Sequence, residues 1–197
     1  MSIQIGAAPE SSFDNPLGLL SDCHRRIERF LRQLIVVTDS SKASILSEEH
    51  RHALEVALRY FREASPRHTR DEEESLFPRL RASTDPDVAN ALASMDALEA
   101  DHDTADAAHA EIDRLGMKWL ENGTIDASDT LRLRELLLGL QSLYTRHIAV
   151  EDKELFPTAA KALPSKEIAA IGREMAERRG IDLSTIPDLK LRCPTKR

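Results

Sequence analysis

The chain has 197 residues, 41% of them hydrophobic, and carries a formal net charge of −7. This hydrophobic content is typical of a folded globular protein, and the acidic balance argues against nucleic acid or an anionic membrane surface as a partner. No apolar run is long enough to cross a bilayer. Two cysteines, Cys23 and Cys193, are too few for a disulfide framework or a cysteine-based zinc site. Since the first residues lack signal-peptide features, we expect a cytoplasmic protein.

The first half of the chain predicts two long helices, because its apolar residues recur at helical spacing. The first helix begins near Pro16 and ends at about Val37, where a polar stretch follows. The second begins near Ser47 and carries its apolar face past residue 76. Pro66 lies inside this second helix, so we expect a kink or a short break there.

The second half repeats the arrangement. Asp85 and Pro86 are a suitable N-cap and first turn for a third helix, which Asn122-Gly123 ends. A fourth helix begins around Ser128. Four long helices joined by short polar loops predict an all-α fold, an antiparallel up-down four-helix bundle.

A short fifth C-terminal helix is predicted between Pro164-Ser165 and Gly180. We therefore divide the chain into a flexible N-terminus at residues 1–14, the bundle at residues 15–163, and a C-terminal helix and tail at residues 164–197.

One sequence pattern occurs twice: HTRDEEESLFP at residues 68–78 and HIAVEDKELFP at residues 147–157. His24 and His102, which lie 78 residues apart, precede the two copies in the middle of the first and third helices. Residues four apart share a helix face, so the histidine and glutamate of each copy point toward the core. At a rise of about 1.5 Å per residue, the histidines fall at similar heights in the bundle.

This convergence predicts a metal centre, because two buried carboxylates without a cation would be costly. Imidazole nitrogen and carboxylate oxygen suit iron or manganese, and zinc is an alternative. Six ligands suit two ions, with each glutamate bridging both ions and two histidines on each. The predicted ligands are His24, His68, Glu72, His102, His147 and Glu151.

The other polar residues near the repeats have simpler interpretations. We expect the acidic neighbours to be solvated because their helical angle turns them off the core face; these are Asp71, Glu73, Glu74, Asp152 and Glu154. His109 is either a satisfied core histidine or part of a channel. Tyr144 either packs in the core or reaches the ligand site as a gate.

With these residues in view, the chain resembles the hemerythrin-like family of HHE cation-binding domains over about residues 15 to 160. The resemblance rests on His24, the two repeated stretches and the DHDTAD stretch around His102. It implies a four-helix bundle that holds a non-heme di-iron centre with an oxygen-derived bridge, and it implies the same six ligands.

Two departures separate the chain from the oxygen-carrying members of that family. Those members have a fifth histidine one turn beyond the third-helix histidine, where this chain has Asp106. Their last carboxylate follows the last histidine by five residues, whereas Glu151 follows His147 by four. Both departures argue against reversible oxygen transport and favour the symmetric subfamily. Whether Asp106, or Glu28 at the matching position, is a ligand, orients an imidazole or is a helix charge stays open.

The leading hypothesis is a di-iron binding protein that senses or handles oxygen, nitric oxide, redox state or iron. Its cofactor would be two iron ions, or manganese or zinc, with a bridging oxo, hydroxo or water ligand. Its partner would be a small molecule such as O2, NO or peroxide. The alternatives are a di-iron enzyme that reduces peroxide or oxygen, and a metal-free interaction bundle. The oligomeric state is left open.

Overall fold

The structure is a computed structural model that describes residues 11–40 and 45–185. Every regular element within these ranges is helical, which confirms the predicted all-α class. The predicted flexible N-terminus falls mainly on residues 1–10 and the predicted tail mainly on residues 186–197, both outside the described residues. None of the described helices is sufficiently long and apolar to span a membrane.

Four long helical stretches and a short fifth helix form the bundle. The second and fourth stretches each contain one π-helical turn, in which backbone bonds run from residue i to residue i+5. The bounds are α1 Pro16–Ser40; α2 Glu48–Glu63, α3 Ser65–Arg70, the first π turn Asp71–Leu76 and α4 Phe77–Arg81; α5 Val88–Asn122; α6 Ala127–Val150, the second π turn Glu151–Leu155 and α7 Phe156–Ala162; and α8 Ser165–Glu177, followed by a 3-10 turn at Leu183–Thr185.

Local sequence signals set most helix ends. The side chain of Ser47 caps α2 by accepting a hydrogen bond from the His50 amide at 3.2 Å. Gly123 ends α5 with a left-handed φ of 71°. The predicted break near Pro66 is confirmed, since α2 ends at Glu63 and a new helix begins at Ser65.

The predicted start of the third helix is wrong. The α5 helix begins at Val88 rather than at Asp85-Pro86. The Asp85 carboxylate instead accepts a hydrogen bond from the Asp87 amide at 2.9 Å and closes a turn before the helix. Asp side chains favour such local turns as readily as helix caps. Asp85 therefore stabilises the turn before α5 and does not cap the helix.

The helices enclose two apolar clusters. Between the clusters lies a polar layer of buried side chains: His24, His68, Glu72, His102, His147 and Glu151. The α1 and α5 helices each pack against both α2 and α6, as an up-down bundle requires. The first apolar cluster includes Leu54, Trp119 and Leu137, and the second includes Leu76 and Met95.

The polar layer interrupts the buried stripe of every long helix. On α1, for example, His24 lies between Leu20 of the second apolar cluster and Ile27 of the first. A bundle core normally consists of apolar side chains throughout, so this layer marks the functional region of the fold.

The short α8 helix closes the end of the bundle at the second apolar cluster. Its residues Ile171 and Met175 are fully buried there. Gly172 faces the chain just before α1 at very close range, because a Cβ atom at this position would lie 2.0 Å from the Phe13 carbonyl oxygen. The absence of a side chain at residue 172 therefore lets the segment before α1 pack directly on α8.

We predict that Gly172→Ala destabilises the fold by about 1–3 kcal/mol, because the added methyl group requires a shift of the backbone at Phe13. The matched control is Gly139→Ala in α6, where a Cβ atom meets nothing within 4 Å. That substitution should stabilise the fold by about 0.5–1 kcal/mol through helix propensity. Urea unfolding measures both variants. Equal effects of the same sign would contradict the packing described for Gly172.

Candidate metal centre

The six predicted ligands lie together in the polar layer, and each side chain is at most 6% exposed. The four histidines come from α1, α3, α5 and α6, one from each long stretch of the bundle. The two glutamates lie at the starts of the two π turns. The structure thus brings together all six residues: His24, His68, Glu72, His102, His147 and Glu151.

The histidines form two pairs, one from each half of the repeat. The ring centroids of His24 and His68 are 4.8 Å apart, and those of His102 and His147 are 4.7 Å apart. The Nε2 atoms of the second pair face one another at 3.1 Å. Two nitrogens that converge in this way are arranged as neighbouring ligands of one ion would be.

The two glutamates connect the histidine pairs. Oε1 of Glu72 lies 3.3 Å from Nε2 of His68, whereas Oε2 of the same carboxylate lies 3.4 Å from Nε2 of His102. Oε2 of Glu151 lies 3.1 Å from Nε2 of His24 and 3.2 Å from Nε2 of His147. Each carboxylate therefore stands between the two histidine pairs.

The donor atoms fit metal ions better than they fit one another. Both oxygens of Glu72, both oxygens of Glu151 and Nε2 of His24 are buried without a hydrogen-bond partner of good geometry among the described residues. An unsatisfied buried polar group costs about 1–3 kcal/mol, and more when it is charged. The donors form two groups that could each hold an ion: His24, His68, Glu72 and Glu151, and His102, His147 and Glu151.

Two acidic residues that we expected in solvent bind histidines of the layer. Each contacts the outer nitrogen of one imidazole, which is the Nδ1 atom on the side away from the two glutamates of the layer. Oε1 of Glu73 lies 2.8 Å from Nδ1 of His102, and Oδ1 of Asp152 lies 3.0 Å from Nδ1 of His24. A carboxylate on the outer nitrogen fixes the orientation and tautomer of an imidazole and increases its strength as a ligand. Glu73 and Asp152 are still 35% and 33% exposed, so the expectation of solvation was only partly right and missed their bonds to the histidines, while Glu154 is exposed as expected.

The π turns explain why these two half-exposed residues reach the imidazoles. In the first, the Phe77 amide bonds to the carbonyl of Glu72, five residues earlier; in the second, the Phe156 amide bonds to that of Glu151. The wider turn brings residues four and five positions after the histidine toward the same side, so each glutamate and its next neighbour both serve the site. No spacing rule for a regular α-helix would have found the second carboxylate.

The first π turn is also held from outside by the end of α8. Asp71, fully buried and expected in solvent, pairs with Nη1 of Arg178 at 2.9 Å and with Nη2 of Arg179 at 2.6 Å. Removal of the partners of a buried charge is strongly destabilising. The C-terminal helix therefore stabilises the turn that presents Glu72.

Of the other two histidines, His147 has Oδ2 of Asp101 3.5 Å from its Nδ1, whereas His68 has a thiol beside it rather than a carboxylate. Cys23 is 6% exposed, and Nη2 of Arg26 lies 3.0 Å from its sulfur. Burial opposes ionisation of the thiol, but hydrogen bonding and charge from His68, together with Arg26, lower the pKa of Cys23 to about 7.

Without a cation, the charges of the layer favour protonated imidazoles. Burial opposes the charged form of His24, yet Asp152 and Glu151 raise its pKa well above the ordinary value. In the same way Glu72 raises the pKa of His68, and Glu72 and Glu73 raise the pKa of His102 to about 9.

The glutamates shift in the opposite direction. Burial opposes ionisation of Glu72, but the imidazoles of His68 and His102 lower the pKa of its carboxyl group. Burial and the charge of Glu72 oppose ionisation of Glu151, whose pKa is nevertheless lowered by His147 and His24. The layer therefore holds two carboxylates that attract positive charge, whether it is supplied by protons or by metal ions.

Comparison with known proteins agrees with this geometry. The family described as the hemerythrin HHE cation binding domain matches residues 15–159, a range that contains all six converging residues. The chain is also 28% identical over 171 residues to an uncharacterized protein of Haemophilus influenzae, with 87% of this chain and 94% of that protein covered. Because the family match spans most of the chain, the protein belongs to the hemerythrin HHE cation-binding domain family.

Proposed function

We propose that the protein binds two iron ions through His24, His68, Glu72, His102, His147 and Glu151. The ions would bind a small molecule such as O2, NO or peroxide. The protein would thereby sense or handle oxygen, nitric oxide, redox state or iron. The observation that carries the proposal is the position of Glu72, whose two oxygens face different histidine pairs. A carboxylate in this position is suited to two ions rather than one.

The histidines and the glutamates would have different roles as ligands. Each histidine pair would supply two nitrogens to one ion, and the two glutamates would supply oxygens to both. Imidazole together with carboxylate suits iron or manganese, with zinc as a competitor. When bound, a pair of iron ions supplies redox chemistry and coordination positions that a small ligand can occupy.

The repeated Leu-Phe-Pro segments keep water out of the layer on one side. Leu76, Phe77 and Leu155 are fully buried and Phe156 is 4% exposed. The Phe156 ring stacks on His24 with centroids 5.4 Å apart. An apolar wall of this kind lowers the local dielectric and controls solvent access to a metal site.

A di-iron enzyme that reduces peroxide is the second candidate. The specific observation in its favour is Tyr144, which lines the small cavity beside the four histidines and whose hydroxyl is able to donate a proton. Peroxide turnover by the iron-loaded protein, compared with that of His147→Ala, separates this candidate from a binding protein. Turnover that disappears in the variant supports the enzyme, and absence of turnover in the parent protein supports binding alone.

The metal proposal predicts two irons per chain after loading with ferrous iron in air, with visible absorption from a ferric pair that shares an oxygen bridge. Glu72→Gln should lose the pair, since an amide is a weak substitute for a shared carboxylate. Glu74→Gln, on the same turn but exposed, should keep two irons. Elemental analysis and the optical spectrum measure both. Equal iron contents in the two variants, or a colourless protein that contains only zinc, would contradict the proposal.

The outer carboxylates should tune iron affinity without being ligands. We predict that Glu73→Gln and Asp152→Asn each weaken iron binding about 10- to 100-fold, because each leaves an imidazole poorly oriented. Glu154→Gln, which changes an exposed residue next to the same site, is the control and should bind iron like the parent protein. Competition with a chelator of known affinity measures the differences. Affinities that match the control would show that the two hydrogen bonds do not support the site.

The stability of the metal-free protein should depend on pH. The raised pKa of His102, from 6.5 to about 9, contributes stability that is fully present below pH 6.5 and is lost as the pH rises through 9. The lowered carboxyl pKa values of Glu72 and Glu151 contribute stability that is present above 4.5 and is lost as the pH falls.

Unfolding of the metal-free protein should therefore require less urea at pH 9 than at pH 6, because the raised pKa values of His24, His68 and His102 together outweigh the opposite contribution of the lowered pKa of Cys23. Iron-loaded protein is the control. Its ligands are neutral imidazoles, so it should gain stability relative to the metal-free form as the pH rises over the same interval. A metal-free protein equally stable at pH 6 and pH 9 would contradict the charge balance described for the layer.

A further inference from the structure

A very small cavity lies directly against the proposed centre. All four histidines of the layer line it, together with Ser65, Asp106 and Tyr144. Its volume is about 10 Å³, which is the space of a single water-sized probe. A ligand larger than water therefore reaches the centre only if part of the cavity wall moves.

A wider cleft lies between α2 and α5, on the outer side of that wall. It has a volume of about 230 Å³ and is lined by the apolar side chains of Leu58, Phe61 and Ile112. At its edge Arg62 of α2 and Asp113 of α5 form an exposed ion pair with a distance of 2.6 Å. Such exposed pairs contribute little energy, so this one does not seal the cleft.

Only one layer of side chains separates the cleft from the cavity. Asp106 lines both spaces. His109 lines the cleft, Tyr144 lines the cavity, and Nε2 of His109 lies 2.8 Å from the hydroxyl of Tyr144. The His109 ring stacks on Phe61 at 4.4 Å, while the Tyr144 ring meets His147 edge-on at 6.3 Å.

We propose that the cleft between α2 and α5 is the port through which a small uncharged ligand reaches the metal centre, and that the hydrogen-bonded His109–Tyr144 pair is its inner gate. The proposal rests on the proposed function, because the ligand needs a metal pair at the end of the path. It assigns these two side chains a role in access rather than in metal binding.

The chemistry of the path favours a neutral ligand over an anion. Arg62 at the edge of the cleft is neutralised by Asp113. The wall further in includes Leu58, Phe61 and Ile112, and the position shared by cleft and cavity carries the Asp106 carboxylate. The gate residue His109 adds no positive charge of its own, since burial lowers the pKa of His109 to about 4 and keeps its imidazole neutral at pH 7. Nitric oxide and dioxygen meet no charge penalty on this path, whereas azide must pass the carboxylate.

The first test obstructs the port. Ala110 is exposed and lines the cleft, so Ala110→Trp places a large ring in the path. Ala107→Trp is the matched control, because Ala107 is an exposed alanine on the same helix and does not line the cleft. Stopped-flow mixing of nitric oxide with the reduced, iron-loaded protein should give an association rate about tenfold lower for Ala110→Trp, within the range that mutations produce, and unchanged for Ala107→Trp. Equal rates in the two variants would overturn the port.

The second test opens the gate. Tyr144→Phe keeps the ring and removes the hydroxyl that His109 binds, so nitric oxide should associate about fivefold faster, the factor that corresponds to the loss of one hydrogen bond. Tyr60→Phe is the control, because Tyr60 lines a different surface pocket and should leave the rate unchanged. A rate for Tyr144→Phe equal to that of the parent protein would show that the pair is not a gate.

Two further measurements separate this proposal from the metal proposal. In xenon-pressurised crystals of the metal-free protein, xenon should occupy the cleft near Phe61 in the parent and be absent from the cleft of Ala110→Trp. If xenon binds only outside the cleft of the parent, the port is overturned by a result that does not depend on iron. Azide should bind the iron-loaded parent more slowly than nitric oxide does. Asp106→Asn should reduce the difference between the two association rates. A chain that binds no iron pair refutes the proposed function, whereas an iron pair with unaltered kinetics in every variant refutes the port alone.

Discussion

Two fully buried carboxylates in the middle of a helical bundle are the constraint on which this structure depends. Glu72 and Glu151 lie between apolar clusters at both ends of the core, where an isolated negative charge would be strongly unfavourable. Their oxygens have no hydrogen-bond partner of good geometry among the described residues. The four surrounding histidines provide positive charge only when they are protonated. Metal ions satisfy the same oxygens with the histidines neutral, so protons and metals compete for one layer of the core.

The two halves of the chain are alike in the ligands they supply but not in how those ligands are supported. The first π turn is held by α8 through the Asp71 ion pairs with Arg178 and Arg179. The second turn contributes Asp152 directly to the histidine of α1. His68 stands apart from the other histidines, since a thiol lies beside it. A duplicated sequence has thus produced a symmetric donor set within asymmetric surroundings.

Much of this arrangement could be predicted from the sequence because the decisive signals are local and repeated. The His-x-x-x-Glu spacing aligns two donors on one helix face, and its second copy, with the histidines of α1 and α5, brings six donors to one level. The glycine at residue 123 and the proline at residue 66 marked real helix boundaries. The predicted bundle therefore followed from periodicity and from turn chemistry alone.

The parts that sequence reasoning missed depend on backbone geometry that regular periodicity does not encode. A π turn adds one residue per turn, which rotates Glu73 and Asp152 from the solvent side toward the imidazoles. Asp71 was missed for a different reason, because its partners lie more than a hundred residues away at the end of α8. The sequence left His109 open as part of a channel and Tyr144 open as a gate, but it could not place the proposed path, which depends on the space that α2 and α5 leave beside His109.

Diffraction at the iron absorption edge from crystals of the iron-loaded protein tests the central claim most directly, because anomalous scattering locates the metal itself. The account predicts two peaks in each chain, one beside each histidine pair and both between Glu72 and Glu151. A single peak in the layer, or iron found only at carboxylates on the surface, would contradict it.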